Sequence, residues 1–464
     1  MRLLELVSVG SNLIFLAILI LRRIGNKRLT ALSAAISVTI AFLQITLENY
    51  RWQMVPSYIV TLGLVLYALK NLFRSSHKPR DSFATGQHKF WAFGKFLLLG
   101  ISCIITILPP LALPVFKFEA PTGSYAVGTV QYHWKDSARD RELNIQVWYP
   151  ADHTEGKSHA PYSPDLSDLA KGLSQTYSIP RFLFDYIGLV QTPAYLNAPI
   201  SHRKANYPVI LFSHGFPGGR YTSTFQTTEL ASHGFIVISV EHTDGSLTTV
   251  FPGGKYIGVD PNLPHYADLT AWDQLVNNIW VKDTEFVIDK LEQINRDDPQ
   301  NIFAGRLDLQ RIGMLGHSFG GANAAQVMLE DPRIRAAINM DGTFFGTGDL
   351  SHGLPRPFLF MSSDPPITSD DLLANPSDSE LAANGLTRDE YRLLQQIPIR
   401  KQEALQNGGQ ELIIPHADHL TFSDFYLIFP ILSWMNGHFN NREAQRSINE
   451  LTLSFFMKNL NYKE

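Results

Sequence analysis

The chain has 464 residues, 45% of them hydrophobic and only 18% charged, with a formal net charge of −4. That length accommodates two or three domains and a large core, and with no basic block after residue 117 the composition excludes a nucleic-acid groove. The single cysteine, Cys103, excludes an intrachain disulfide and any cysteine-based metal site.

Apolar residues concentrate in residues 1–117. Leu3 to Leu21, Leu29 to Leu47 and Phe96 to Phe116 are each long enough to cross a bilayer core, whereas Met54 to Leu69 is shorter and needs flanking residues to do so. The first run reads as an anchor rather than a cleaved signal. Glu5 stands where a basic n-region belongs, the basic cluster follows the run, and no small-residue cleavage site comes after it. Arg22, Arg23, Lys27 and Arg28 separate the first two runs, and Lys70, Arg74, Lys78, Arg80, Lys89 and Lys95 separate the last two; Glu48 to Gln53 holds only Arg51. The positive-inside rule then puts both basic loops in the cytoplasm and everything after Phe116 on the outer, periplasmic or extracellular, face of the cell membrane. Ionisable residues are almost absent inside the runs, so the expectation is a multi-pass anchor without a proton or ion pathway. Pro109, Pro110 and Pro114 are expected to break the end of the fourth span.

Residues 118–464 read as a soluble domain. PTGSYAVGTVQYHW and RELNIQVWYP flank the charged turn KDSARD, the pattern of a β-hairpin. Residues 153–206, with helical spacing in PDLSDLAKGLSQTY and an apolar RFLFDYIGLV, are a candidate cap over an entrance or a plain surface helix pair. From Tyr207 strand and helix alternate. YPVILFS, FIVISVEH, RIGML, RAAINMD, PFLFMSS and ELIIPH are strand-like, with helices predicted over YTSTFQTTELASHG, LTAWDQLVNNIWVKDTEFVIDKLEQIN and the segment after Gly316. The expected solution is an α/β domain whose mostly parallel sheet is covered on both faces.

Gly316-His317-Ser318-Phe319-Gly320 lies between the strand RIGML and a helix. By composition alone a G-x-S-x-G in a chain of this length has odds of roughly one in ten, so its surroundings have to decide. A strand, sharp turn and helix around such a serine resemble the nucleophile elbow of an α/β-hydrolase, which makes Ser318 the candidate nucleophile. A serine hydroxyl needs a base, an acid that orients the base, and donors for the developing oxyanion. ELIIPHADHLTFSDF offers His416 and His419 as the base, His419 slightly favoured; a metal site of His416, Asp418 and His419 is the alternative, and it lacks further ligands. The acid is Asp341 in NMDG or Asp364 in MSSD, and spacing does not choose between them. The backbone N–H of Phe319 is one oxyanion donor, and the Gly-rich loop SHGFPGG makes that of Phe216 the second. His317 is expected to point away from substrate, and His214, His233 and His242 to be structural.

PTGSYAVGT, LFSHGFPGGR, ELASHGFIVISVEHTDGS, IGMLGHSFGGANAAQ with its following MDG, and HLTFSDF, in that order, resemble the platelet-activating factor acetylhydrolase family of the plasma type and its bacterial relatives. The likeness runs from about Pro121 to Leu460 and leaves out residues 1–117. It implies an α/β-hydrolase fold, Asp341 as the acid, and His419 as the base heading an H-x-x-F-x-D-F motif with Phe422, Asp424 and Phe425. It also carries the oxyanion donors over to Phe216 and Phe319, and implies short or oxidised acyl chains on glycerophospholipids. The family is calcium-independent, and no metal or other cofactor is expected here. One departure is the HGFPGGR loop, whose proline and glycine replace a Leu-Gly-Ala-like run and bear on the shape of the acyl pocket. The resulting expectation is a membrane-anchored serine esterase acting on lipid esters at a bilayer. A carboxylesterase for non-lipid esters, or a non-catalytic binding protein on a hydrolase fold, are the alternatives. Acyl length, head group and oligomeric state are not encoded legibly.

Overall fold

A computed structural model describes every residue except 23–26, 74–84, 265–267, 365–375, 384, 438–439 and 464. Arg23, Arg74, Lys78 and Arg80, which enter the orientation argument, lie outside the described residues. The chain forms two compact units. One comprises Met1–Phe116 with Pro180–Val190 and Ile428–Ile431; the other comprises Lys117–Ile179, Gln191–Leu427 and Leu432–Glu464.

The first unit is built on four helices, α1 (Leu3–Arg22), α2 (Lys27–Glu48), α3 (Val55–Phe73) and α4 (Thr85–Ala112). Each carries an apolar stretch long enough to cross a membrane. The third is longer than the sequence suggested, because a 3₁₀ turn at Trp52–Met54 joins α3 and extends the stretch to the 22 residues Trp52–Phe73. Burial in this unit is the reverse of a water-soluble bundle. Glu5, Ser8 and Asn12 on α1, Thr30, Ser33, Ser37 and Gln44 on α2, and Ser57 and Thr61 on α3 face inward at helical spacing, while Leu6, Ile14, Leu32, Phe42, Ile59, Leu66 and Ile104 face out. Small and polar side chains let helices approach and hydrogen-bond across the interface, an arrangement suited to hydrocarbon solvent. The Asn12 amide donates to the carbonyl and hydroxyl of Ser57 and to the hydroxyl of Thr61, all within 3.0 Å.

One detail of α4 departs from the sequence reading. The helix α4 runs on through Pro109 and Pro110 and stops at Ala112. At its end Arg51 donates to the carbonyls of Leu113 (2.7 Å) and Pro110 (3.3 Å), groups that a helix end leaves unpaired. Arg51 is held in turn by Glu5 through two bonds of 2.6 and 2.7 Å, both side chains being essentially fully buried.

The second unit holds a ten-stranded sheet. Its strands are β1 (Ala126–Asp136), β2 (Arg141–Ala151), β3 (His159–Pro161), β4 (Gln191–Leu196), β5 (Tyr207–Ser213), β6 (Ile236–Glu241), β9 (Leu307–His317), β10 (Ile334–Met340), β11 (Phe358–Ser362) and β12 (Gln410–Ile413). A separate hairpin, β7 (Thr248–Val250) with β8 (Tyr256–Gly258), stands apart from it. The spatial order is β12-β11-β10-β9-β5-β6-β2-β1-β4-β3. From β12 to β6 the neighbours are parallel; β2 then pairs antiparallel with β6 and with β1. Because side chains alternate along a strand, a run buried throughout must feed two cores. Tyr207, Val209 and Leu211 of β5 enter one, with Trp280, Val287, Ile288, Phe319 and Met328; Ile210 and Phe212 enter the other, with Leu230, Ala231, Ile448 and Phe456. Helices α8 (Lys282–Arg296) and α9 (Phe319–Glu330) cover the first face, and α6 (Thr224–Ser232) and α10 (Asn441–Asn459) the second.

The single long helix predicted over Leu269–Asn295 is divided, with α7 (Leu269–Leu275), a π turn at Val276–Val281, then α8. Segment 153–206 is likewise divided. It gives β3, α5 (Leu166–Tyr177) and β4 to the second unit and Pro180–Val190 to the first. The buried Arg51 is the most consequential feature of the helical unit: Arg51→Ala leaves Glu5 with only Arg2, 2.7 Å away and partly exposed, as counter-charge, and is expected to destabilise the detergent-solubilised protein by about 1.5–3 kcal/mol through the lost charged hydrogen bonds. Thermal unfolding followed by circular dichroism measures it, and an unchanged midpoint would contradict a structural role for the pair.

Candidate active site

Four loops leave the carboxyl ends of strands β5, β9, β10 and β12 in the parallel part of the sheet, the edge where open α/β sheets present ligand sites. Each supplies one part of the site.

The loop after β9 is a turn of one residue. Ser318 has φ 55° and ψ −121°, a conformation costing about 1–3 kcal/mol for a residue with a side chain, and stands between the last residue of β9 and the first of α9. The turn can be this tight because a Cβ on Gly316 would strike the carbonyl of Gly320. The Ser318 amide is tied to the carbonyl of Met340 at 2.9 Å.

Across from it, His419 Nε2 is 3.0 Å from Ser318 Oγ, and His419 Nδ1 is 2.9 Å from Asp341 Oδ2. Asp341 follows β10, has a positive φ of 54°, and its other oxygen accepts from the Ser363 amide at 2.9 Å. Burial raises the carboxyl's proton affinity, but the His419 and Ser363 hydrogen bonds outweigh it and hold Asp341 below the ordinary carboxylate range. An ionised Asp341 on Nδ1 fixes the tautomer that leaves Nε2 free to take the serine proton. The imidazole side chain is 48% exposed, so the base is reachable from solvent.

Asp364 lies elsewhere. Its amide bonds the carbonyl of Ala417, and its carboxylate faces the amide of His416 at 3.4 Å. Asp418 caps the 3₁₀ turn His419–Phe422, accepting from the amides of Leu420 and Thr421. The alternative metal site thus has its carboxylate engaged locally, and among the described residues no three His, Cys, Asp or Glu side chains converge as ligands.

Phe319 is the first residue of α9, where a helix cannot pair its own N–H groups. Phe216 follows Gly215 in the loop after β5, and its ring packs 5.8 Å from that of Phe319. That loop is braced from behind by His214. Its Nδ1 donates to the Gly215 carbonyl at 2.7 Å, and its Nε2 accepts from the His242 amide at 3.2 Å and the Ser246 hydroxyl at 3.0 Å. Burial first, then the proximity of His242, pushes His214 down to about 3, so the ring is neutral. His242 in turn meets Asp283 at 3.1 Å, beneath a stacked Trp280.

The H-x-x-F-x-D-F motif has a role that its spacing does not reveal. The Asp424 carboxylate accepts from the amides of Thr224 (2.8 Å) and Phe225 (3.3 Å), capping α6 from 200 residues away. Burial pushes this carboxyl up to about 8 against those two hydrogen bonds. Ser223 Oγ donates to the Phe422 carbonyl beside it. The motif therefore fastens the loop of His419 to the helix that follows the Phe216 loop.

Residues 113–258 and 274–464 match the family described as platelet-activating factor acetylhydrolase, isoform II. The platelet-activating factor acetylhydrolase of Bos taurus is 27% identical over 285 residues, 53% of this chain and 60% of that protein, so the match spans about three fifths of the relative's length. A probable 1-alkyl-2-acetylglycerophosphocholine esterase of Arthroderma benhamiae is 35% identical over 33% of this chain and 36% of its own. Among solved structures, a ferulic acid esterase from Streptomyces cinnamoneus superposes with a TM-score of 0.55 at 25% identity, covering 75% of this chain and 93% of that one. The second unit has the α/β-hydrolase fold.

Two outcomes are expected. Asp341→Asn lowers kcat for ester hydrolysis by up to about 10⁴-fold, through the wrong imidazole tautomer, while Asp364→Asn leaves it near wild type; steady-state kinetics on both variants separates the two carboxylates. Secondly, His214 has a folded-state pKa near 3 against about 6.5 in an unfolded chain, so between these values the unfolded state binds more protons. Stability is therefore full above about pH 6.5 and falls as pH drops toward 3. Melting temperature measured against pH should show a shallower decline in His214→Gln than in wild type.

Proposed function

The chain belongs to the platelet-activating factor acetylhydrolase, isoform II family, and on that premise we propose that it is a membrane-anchored serine esterase that hydrolyses short or oxidised acyl esters of glycerophospholipids. The observation that carries the reading is the unbroken line Ser318 Oγ to His419 Nε2 to Asp341 Oδ2, at 3.0 and 2.9 Å. His419 takes the Ser318 proton as Oγ attacks the ester carbonyl, and the amides of Phe216 and Phe319 stabilise the oxyanion. Collapse of the tetrahedral species returns the proton to the departing lyso-lipid oxygen and leaves the acyl group on Ser318. Water, deprotonated by His419, then attacks that ester, releasing the acid and restoring the serine.

The inverted burial of the four N-terminal helices supports a membrane setting. Tethering there raises the local concentration of a lipid substrate without a separate surface-binding step. The basic residues between the first two apolar runs and between the last two favour a catalytic unit on the outer face of the cell membrane. Protection of that unit from protease added to intact cells would reverse the orientation. A second reading, a carboxylesterase for non-lipid esters, draws on the likeness to the ferulic acid esterase.

Ser318→Ala should abolish hydrolysis of a short-chain p-nitrophenyl ester and labelling by a fluorophosphonate probe, with expression unchanged. Retained activity would end the assignment. For the wild type, comparing kcat/KM on an acetyl-glycerophospholipid and a soluble aryl ester across detergent concentrations distinguishes the two substrate classes.

A further inference from the structure

His317, the residue before the nucleophile, does point away from the position a substrate would take, but it does not point at nothing. Its ring is buried, and its Nε2 lies 2.8 Å from the backbone carbonyl of His419. A carbonyl only accepts, so Nε2 carries the proton and donates. The ring stands 4.8 Å from the imidazole of His419 and 6.3 Å from the ring of Phe422. On its other side is the oxyanion loop: a Cβ placed on Gly215 would come within 3.2 Å of His317 Nδ1 and 3.1 Å of Ser318 Cβ. One side chain thus reaches from the loop that carries Phe216 to the main chain of the base.

Resting on the reading of Ser318, His419 and Asp341 as a triad, we propose that His317 is a positioning residue that pins the His419 peptide, so that the imidazole stays over the reacting oxygen through both half-reactions. The need arises from the base's own setting. His419 sits on a 3₁₀ turn of four residues with a half-exposed side chain. Once Ser318 is acylated, its hydroxyl no longer holds Nε2, and Asp341 alone restrains the ring at the moment water must be deprotonated. A hydrogen bond to the peptide carbonyl restrains the ring's origin instead of its tip, and it survives acylation. Burial keeps His317 neutral, pushing it down to about 3. No second positive charge therefore develops beside the imidazolium of His419.

A residue that merely filled space would be replaceable by any side chain of similar volume. The test uses the full-length, detergent-solubilised protein with His317→Leu, which keeps bulk without a donor, His317→Asn, whose amide is too short to reach, and His317→Gln, whose amide nitrogen reaches the place of Nε2. The end point of fluorophosphonate labelling counts folded sites; its rate, with kcat and KM on p-nitrophenyl acetate, reports on the base. Leu and Asn should label to the wild-type end point but lower kcat by about 10²-fold, with KM within about twofold, while Gln restores most of kcat. Wild-type kcat in Leu or Asn, or a Gln variant as slow as Asn at equal end point, overturns the proposal. Should Leu fail to fold, the comparison of Asn with Gln decides. Failure of the triad reading has a different signature, namely labelling that persists in Ser318→Ala.

Discussion

The catalytic unit depends on how closely helix α9 is pressed into the sheet. A Cβ on Gly316 would strike the carbonyl of Gly320, and one on Gly320 would strike the carbonyl of Ser213 at the end of β5. The contact therefore involves two strands at once: β9, which leads into Ser318, and β5, which leads into the loop bearing Phe216. Strain of about 1–3 kcal/mol at Ser318 persists because the buried side chains of α9, including Phe319, Ala322, Ala325 and Met328, lock the helix to the sheet. The proposed nucleophile and one proposed oxyanion donor, Ser318 and Phe319, are adjacent residues of a single tight turn, so their mutual geometry does not rely on a long loop.

The proposed base has no such scaffold. His419 rides on a short turn after the outermost strand β12, and its location is set by attachments at several points. Asp418 caps the turn, Ser223 holds the Phe422 carbonyl, and Asp424 reaches the amino end of α6. Those bonds link the base's loop to the segment that begins with the oxyanion loop, which His214 braces from its far side. A substitution in any of these supports has its first effect on geometry, where an error of about 1 Å is worth about 10² in rate.

Much of this was legible in the sequence because the signals are local. Strand β5 is a short, largely apolar run, β9 contains another in Ile312–Leu315, and the elbow is a fixed spacing of glycines around a serine. Asp341 could not be told from Asp364 by spacing, since both end strands of the same sheet; the difference is one of register, the Ser363 amide being bonded to Asp341 Oδ1. β3 and β4 were missed because their pairing partners are distant in sequence, and three-residue strands such as β3 have no periodicity to detect. The π turn at Val276–Val281 was invisible for another reason, as an extra residue in a turn leaves the apolar spacing almost unchanged. In the helical unit, run length located the helices but concealed which faces pack. That information lay in the polar residues, whose spacing at Glu5, Ser8 and Asn12 matches one helix face.

The make-up of the helical unit has a consequence for biosynthesis. Its four helices are made before the residues of the second unit, yet the unit also contains Pro180–Val190 and Ile428–Ile431. There Trp52 and Phe182 pack edge to face at 5.3 Å, and the Tyr186 hydroxyl donates to the Ile428 carbonyl at 2.9 Å. The surface around Trp52 therefore stays uncovered while more than a hundred further residues are translated, and the last piece arrives only after nearly the whole hydrolase sheet has been synthesised. Closing loops of that length is slow relative to local helix formation. The helical unit is thus begun before the sheet and completed only after it, which leaves an interval in which its partly covered surface is open to chaperones or to wrong partners.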